Sequence, residues 1–188
     1  MRRNVRERLR AALGRRSLAA LGVLAAGLLG LGFGASSCVG EAGLEAYGCP
    51  NPAVFTASVS PYLERRCGTL DCHGQMTRPM RIYGQLGLRH PAENNVSGGV
   101  STTQLELESN YAAVCNLDPA AMQQVVDDLG STADKLLLVN KARGLERHKG
   151  GKIVNEQDPG DLCILGWLGF KDAATVAASC SAAIAPLK

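Results

Sequence analysis

Apolar positions along the chain fall into short runs at helical spacing, separated by turns rich in glycine and proline. Over residues 53–66, Val54, Phe55, Val59, Tyr62 and Leu63 lie on or near one face, which predicts a helix. Pro61 sits inside that pattern and is expected to divide it, with proline in the first turn of the second part. Residues 74–90 show little periodicity, although Ile82, Leu86 and Leu88 supply apolar surface. Residues 101–116 open with Ser and Thr followed by Gln104 and Glu106, the pattern of a capped helix start, and continue with Leu105, Leu107, Tyr111 and Val114. Asp118 as cap and Pro119 at the first position open another helix, whose buried face is Met122, Val125, Val126 and Leu129, and Gly130 ends it. The apolar run from Lys135 to Val139 is compatible with helix or extended chain. Residues 159–170 form the clearest helix, capped by Asp158 and carrying Trp167; the Ala-rich segment over 173–185 favours helix again. No strand alternation and no internal repeat stands out. The fold class expected is all-α: a small helical domain with long loops, over residues 53–188.

The first residues obey a different pattern. Seven arginines precede residue 17, an apolar stretch follows from Ser17 to Phe33, and small residues lead to Cys38. Basic, apolar and small-residue regions in that order make an export signal over residues 1–37. Ala35-Ser36-Ser37-Cys38 has the form of a lipobox, which makes Cys38 the expected lipidation site and residues 38–52 a tether. An uncleaved signal anchor is the other reading. Either places the rest of the chain outside the cytoplasm and fixed to a membrane, in the periplasm or at the cell surface.

This segment also carries the basic charge. The whole chain has 20 basic and 17 acidic residues, net +3; without the first 37 residues it has 13 and 16, net −3. Nucleic acid is therefore not expected as a partner. Seven cysteines remain to be explained: Cys38, Cys49, Cys67, Cys72, Cys115, Cys163 and Cys180. Lipidation of Cys38 leaves six in an oxidising compartment. They give three bridges, or two if Cys67 and Cys72 are otherwise engaged, and spacing does not decide the connectivity.

Cys67 to Gly74 carries the candidate chemistry. It reads Cys-x-x-x-x-Cys-His, a longer-spaced form of the Cys-x-x-Cys-His signature of covalent haem attachment. Two thiols add across the two haem vinyl groups, and the adjacent His73 is delivered to the iron. A four-residue spacer must loop outward for both sulfurs to reach the ring, helped by the backbone freedom of Gly68. Cys67, Cys72 and His73 are thus the expected sites for one covalent haem c. Ile82, Leu86 and Leu88 could pack on its face. Met76, Met80, His90, Met122 and His148 are the candidates for a second iron ligand. His148 is preferred, because it lies far along the chain and is followed by Gly150 and Gly151. The competing view of His148 is the end of a short helix, where Arg147, His148 and Lys149 suit the dipole. Two further readings stay open. Cys67 and Cys72 could form a local disulfide in a haem-free binding or structural lipoprotein, or could join His73 in a zinc site. No paired carboxylates argue for hydrolysis.

Taken in order, four features resemble cytochrome c-like lipoproteins of the myxobacterial type. They are the lipobox-like Cys38; the helix with Phe55, Val59, Pro61 and Leu63 running into Cys67-x4-Cys72-His73-Gly74; a leucine run followed by His148-Lys149-Gly150-Gly151; and the segment from Asp161 to Leu168 with Trp167. The chain departs from that pattern in its spacer and in lacking a Met-Pro-Pro loop before the Trp helix. The resemblance implies a cytochrome c-like fold whose final Trp helix packs on the helix before the haem motif. It also implies single-electron transfer with a redox partner protein. An electron carrier, monomeric and held to a membrane by its lipid, is expected rather than a catalyst.

Overall fold

The computed structural model describes residues 48–187. The expected export signal, the lipidation site Cys38 and most of the tether lie outside the described residues. The described chain is all-α with two disulfides.

A continuous helical rod leads into Cys67. It consists of α1 (Pro52–Val54), a π-helical segment (Phe55–Val59) and α2 (Ser60–Arg66). Asn51 caps it, its side-chain oxygen accepting the Ala53 and Val54 amides. Pro61 does not divide the rod. Proline has no N–H to give to the carbonyl four residues back, and its ring crowds that carbonyl. The preceding turn widens instead, with the Ser60 amide reaching the Phe55 carbonyl, and carries the helix past the proline. Phe55, Val59, Tyr62 and Leu63 all remain in the core.

α3 (Gln104–Cys115) starts with the expected capping box, made by Thr103 and Glu106. Glu106 does more than cap. Its buried carboxylate takes two hydrogen bonds from Arg89, at 2.8 and 2.9 Å, and one from the His90 amide at 2.9 Å. Asn110, one turn further, accepts the Tyr83 amide at 2.7 Å and donates to the Tyr83 carbonyl and to Ser60. The irregular segment after Gly74 thus satisfies part of its backbone on polar side chains of α3. Leu86 does not pack as expected; it is 70% exposed.

α4 (Pro119–Asp127) ends in left-handed residues Leu129 and Gly130. Asp118 precedes Pro119 without a side-chain capping bond, and the same holds for Asp158 before α6. The run around Leu136 resolves as helix: a 3-10 turn (Ala133–Lys135), then α5 (Leu137–Ala142). α6 (Pro159–Leu168) and α7 (Ala173–Ile184) pack together and are bridged by Cys163–Cys180. Trp167 of α6 lies 4.9 Å, ring centre to ring centre, from Phe55, and its indole N–H donates to the Asn51 carbonyl. Tyr111 of α3 closes on Phe55 at 5.5 Å. The second bridge, Cys49–Cys115, ties the lead-in segment to the end of α3. The rod that ends at Cys67 is therefore held on several sides, and the motif starts from a fixed base.

Candidate functional site

The Cys67–Gly74 segment folds as a tight loop on the end of α2. The Cys67 and Gly68 amides still bond the Leu63 carbonyl, at 2.7 and 2.8 Å. The loop then closes through Cys72 N–H and Gly74 N–H to the Thr69 carbonyl and His73 N–H to the Cys67 carbonyl. The extra spacer residues are pushed outward: Thr69, Leu70 and Asp71 are exposed. Gly68 is required for room rather than for backbone freedom. A Cβ there would come within 2.8 Å of the Glu64 carbonyl and 2.9 Å of the Ile82 side chain. At Gly74 a Cβ would collide with the Gly68 carbonyl.

Four of the described cysteines are bridged, and Cys67 and Cys72 are free thiols. Burial pushes the Cys67 thiol up to about 12; Arg66 opposes the shift and Cys72 adds to it. In the free chain at neutral pH this group is therefore a thiol and not a thiolate. Among the described residues no group of three or more His, Cys, Asp or Glu side chains could hold a metal ion by itself.

The fold brings His73 and His148 together across 75 positions of sequence: their ring centres are 6.0 Å apart and their planes differ by 19°. Each imidazole is held in the same way. His73 Nδ1–H donates to the Met80 carbonyl at 2.7 Å, and His148 Nδ1–H donates to the Gly151 carbonyl at 2.9 Å. A carbonyl only accepts, so each ring carries a proton on Nδ1, and Nε2 is the nitrogen not engaged by these bonds. A carbonyl on the far nitrogen is what orients metal-binding histidines. Burial holds His73 below the usual histidine range, against the pull of the Met80 carbonyl, with His148 and Arg78 adding to the depression. The ring is therefore neutral and able to ligate at neutral pH.

The two rings and both thiols line one cavity of about 500 Å³. Its walls include the apolar Met80, Leu117, Leu137, Leu138 and Ile153, and four cations, Arg78, Lys141, Arg147 and Lys149, also border it. Asp71 is the single carboxylate among the lining residues. Arg78 donates from Nε to the Cys72 carbonyl and so braces the loop.

His148 does not end a helix. α5 stops at Ala142, and His148 sits in the loop beyond. That loop is anchored at both ends: Leu145 and Glu146 amides bond the Asn140 carbonyl, and Ile153 and Val154 amides bond the Ala142 carbonyl. Arg143, just past α5, makes a two-point ion pair with the buried Asp161 of α6, at 2.7 and 2.8 Å, which sets the distance the loop must span. Asp161 pairing holds the Arg143 guanidinium more firmly charged, despite its partial burial. Gly150 lies against the imidazole, where a Cβ would come within 3.1 Å of Cε1.

The other candidate ligands are placed elsewhere. Met76 is exposed, and Met122 is buried in the core. The His90 ring packs on Tyr83, with its Nδ1 accepting the Ala92 amide. Met80 borders the cavity but contributes the carbonyl that orients His73. Ile82 and Leu88 pack outside this cavity. The cations at its edge were not visible as a group in sequence. Lys141 shares a helical face with Leu137 and Leu138 at the right spacing, and that was the available signal. Protein-family models, curated proteins and solved structures were each compared with the chain, and none matches it.

Proposed function

We propose that the chain is a c-type cytochrome-like electron carrier with one covalent haem held by Cys67 and Cys72 and ligated by His73 and His148. The observation that carries this reading is the pairing of the two imidazoles over an apolar cavity edged by two unbridged thiols. Two imidazoles on opposite sides of one metal atom would set their ring centres about 6 Å apart, from two metal–nitrogen bonds of roughly 2 Å and the offset of each nitrogen from its ring centre. The spacing here is 6.0 Å. A flat apolar macrocycle with carboxylate tails also suits apolar walls edged by Arg78, Lys141, Arg147 and Lys149.

When bound, haem supplies a one-electron couple, and ligation by two histidines sets it lower than His/Met ligation would. The protein's part is to hold and shield. Met80 and Gly151 fix both imidazoles, Arg78 braces the attachment loop, and the leucines of α5 exclude water. The two bridges suit an oxidising compartment and support export, with a lipid anchor at Cys38 and a redox protein as partner.

The test is the visible spectrum of the full chain after export in a host with c-type maturation, purification and denaturation. Haem absorbance should stay with the denatured chain and vanish in Cys67→Ser/Cys72→Ser. A colourless chain with a Cys67–Cys72 bridge would instead support a stapled, haem-free lipoprotein.

A further inference from the structure

We propose that the iron position faced by His148 is also a binding site for a small neutral diatomic ligand, opened when the His148 turn swings aside. The inference rests on the haem reading above.

The two histidines are held in unequal ways. His73 sits inside the attachment loop: its amide bonds Cys67, its carbonyl accepts the Ile82 amide at 3.0 Å, and its ring bonds Met80. Gly74 beside it packs against the Gly68 and Thr69 carbonyls with no room for a Cβ. His148 belongs to a turn that closes on itself. Gly151 N–H donates to the His148 carbonyl at 3.0 Å, and the His148 ring donates to the Gly151 carbonyl at 2.9 Å. Both bonds travel with the turn and survive its displacement. Before the turn, Lys141 Nζ donates to the Arg147 carbonyl, an exposed contact; after it, the next hold is Ile153. Between Arg147 and Ile153 the chain makes no other hydrogen bond among the described residues. Lys149, Gly150, Gly151 and Lys152 are exposed, and Gly151 is left-handed at φ 69°. The turn is therefore a self-contained arm on two glycines.

Displacement is a simple exchange. In the ferrous state the bond from iron to His148 Nε2 breaks and a bond from iron to the ligand forms, with no change of oxidation state. No proton is needed, because the departing imidazole keeps its own on Nδ1, bonded to Gly151. Leu137, Leu138, Ala142 and Ile153, which line the cavity near the arm's anchor points, offer a small neutral ligand an apolar place to sit.

Carbon monoxide is the probe, added to the dithionite-reduced, haem-loaded full chain and followed by its visible bands. Wild type should bind it, and His148→Ala should bind about 10-fold tighter or more, since no arm has to leave first. In wild type the binding rate should also level off with rising carbon monoxide, at the rate of arm opening, and His148→Ala should lose that plateau. A wild type that refuses carbon monoxide while His148→Ala accepts it would overturn the proposal and leave His148 ligation standing. Equal affinity and rate in both proteins would overturn it too, because nothing is then displaced. A chain without covalent haem would fail at the earlier step, in the denatured spectrum.

Discussion

Gly74 is the residue at which the Cys67–Gly74 loop tolerates least. Its missing Cβ is where the Gly68 carbonyl passes, so Gly74→Ala must push the loop apart. Overpacking of this kind costs about 1–3 kcal/mol. Thermal unfolding should show that loss, and the share of chains carrying haem should fall with it. Glu106 is the second sensitive residue. Its buried carboxylate is held below the usual range: burial acts upward, and Arg89, Thr103 and His90 outweigh it. A depressed folded value means stability that is fully present above the unfolded pKa, near 4.3, and is lost as pH falls from there through the lower folded value. Glu106→Gln should cost about 3–5 kcal/mol at neutral pH, because it leaves Arg89 buried without its charge partner. Melting curves should also show a flatter loss of stability below pH 5 in that variant. An unchanged acid profile would mean that Glu106 is not the linked group.

At the scale of elements, the disulfides and the motif loop share the cysteines. Peptide mapping of haem-free chain, alkylated before reduction, should recover Cys49–Cys115 and Cys163–Cys180 as linked pairs and label at Cys67 and Cys72. A linked Cys67–Cys72 peptide would contradict the structure. Replacing Cys49 and Cys115 by serine should destabilise the domain by about 2–5 kcal/mol, as the bridge closes 66 positions of chain and anchors the lead-in to the rod. The helices from α3 onward, α5 excepted, were legible because capping and apolar spacing are local: Thr103 with Glu106, Pro119, Pro159 and the alanines over 173–184 each act within a turn or two, whereas the run before Val139 reads equally as helix or extended chain. The π-helical segment was not, because Pro61 reads as a break unless the neighbouring turn is known to widen. The same division holds at the cavity. Cys67, Cys72 and His73 are contiguous and could be read. His148 was readable as the preferred of five candidates, but its approach to His73 was not, because the loop that carries it starts beside Arg143, whose pairing with Asp161 sequence does not announce. Arg78 and Lys141 went unnoticed for the same reason.

Across the whole molecule, the rod from Pro52 to Arg66 acts as a base clamped by Trp167, Tyr111 and the packed α6–α7 pair, and the cavity lies beyond its end. The apolar cavity wall is core that wants a partner. Haem-loaded protein should accordingly resist denaturant better than the haem-free chain, with a higher midpoint. The central claim is that His73 and His148 share one iron. Electron paramagnetic resonance of the oxidised, haem-loaded protein tests it most directly. Wild type should give a low-spin signal with two imidazole ligands, and His148→Ala should turn high-spin while keeping its covalent haem. A low-spin signal that His148→Ala leaves unchanged would show that another group holds the sixth position and would contradict this account of the cavity.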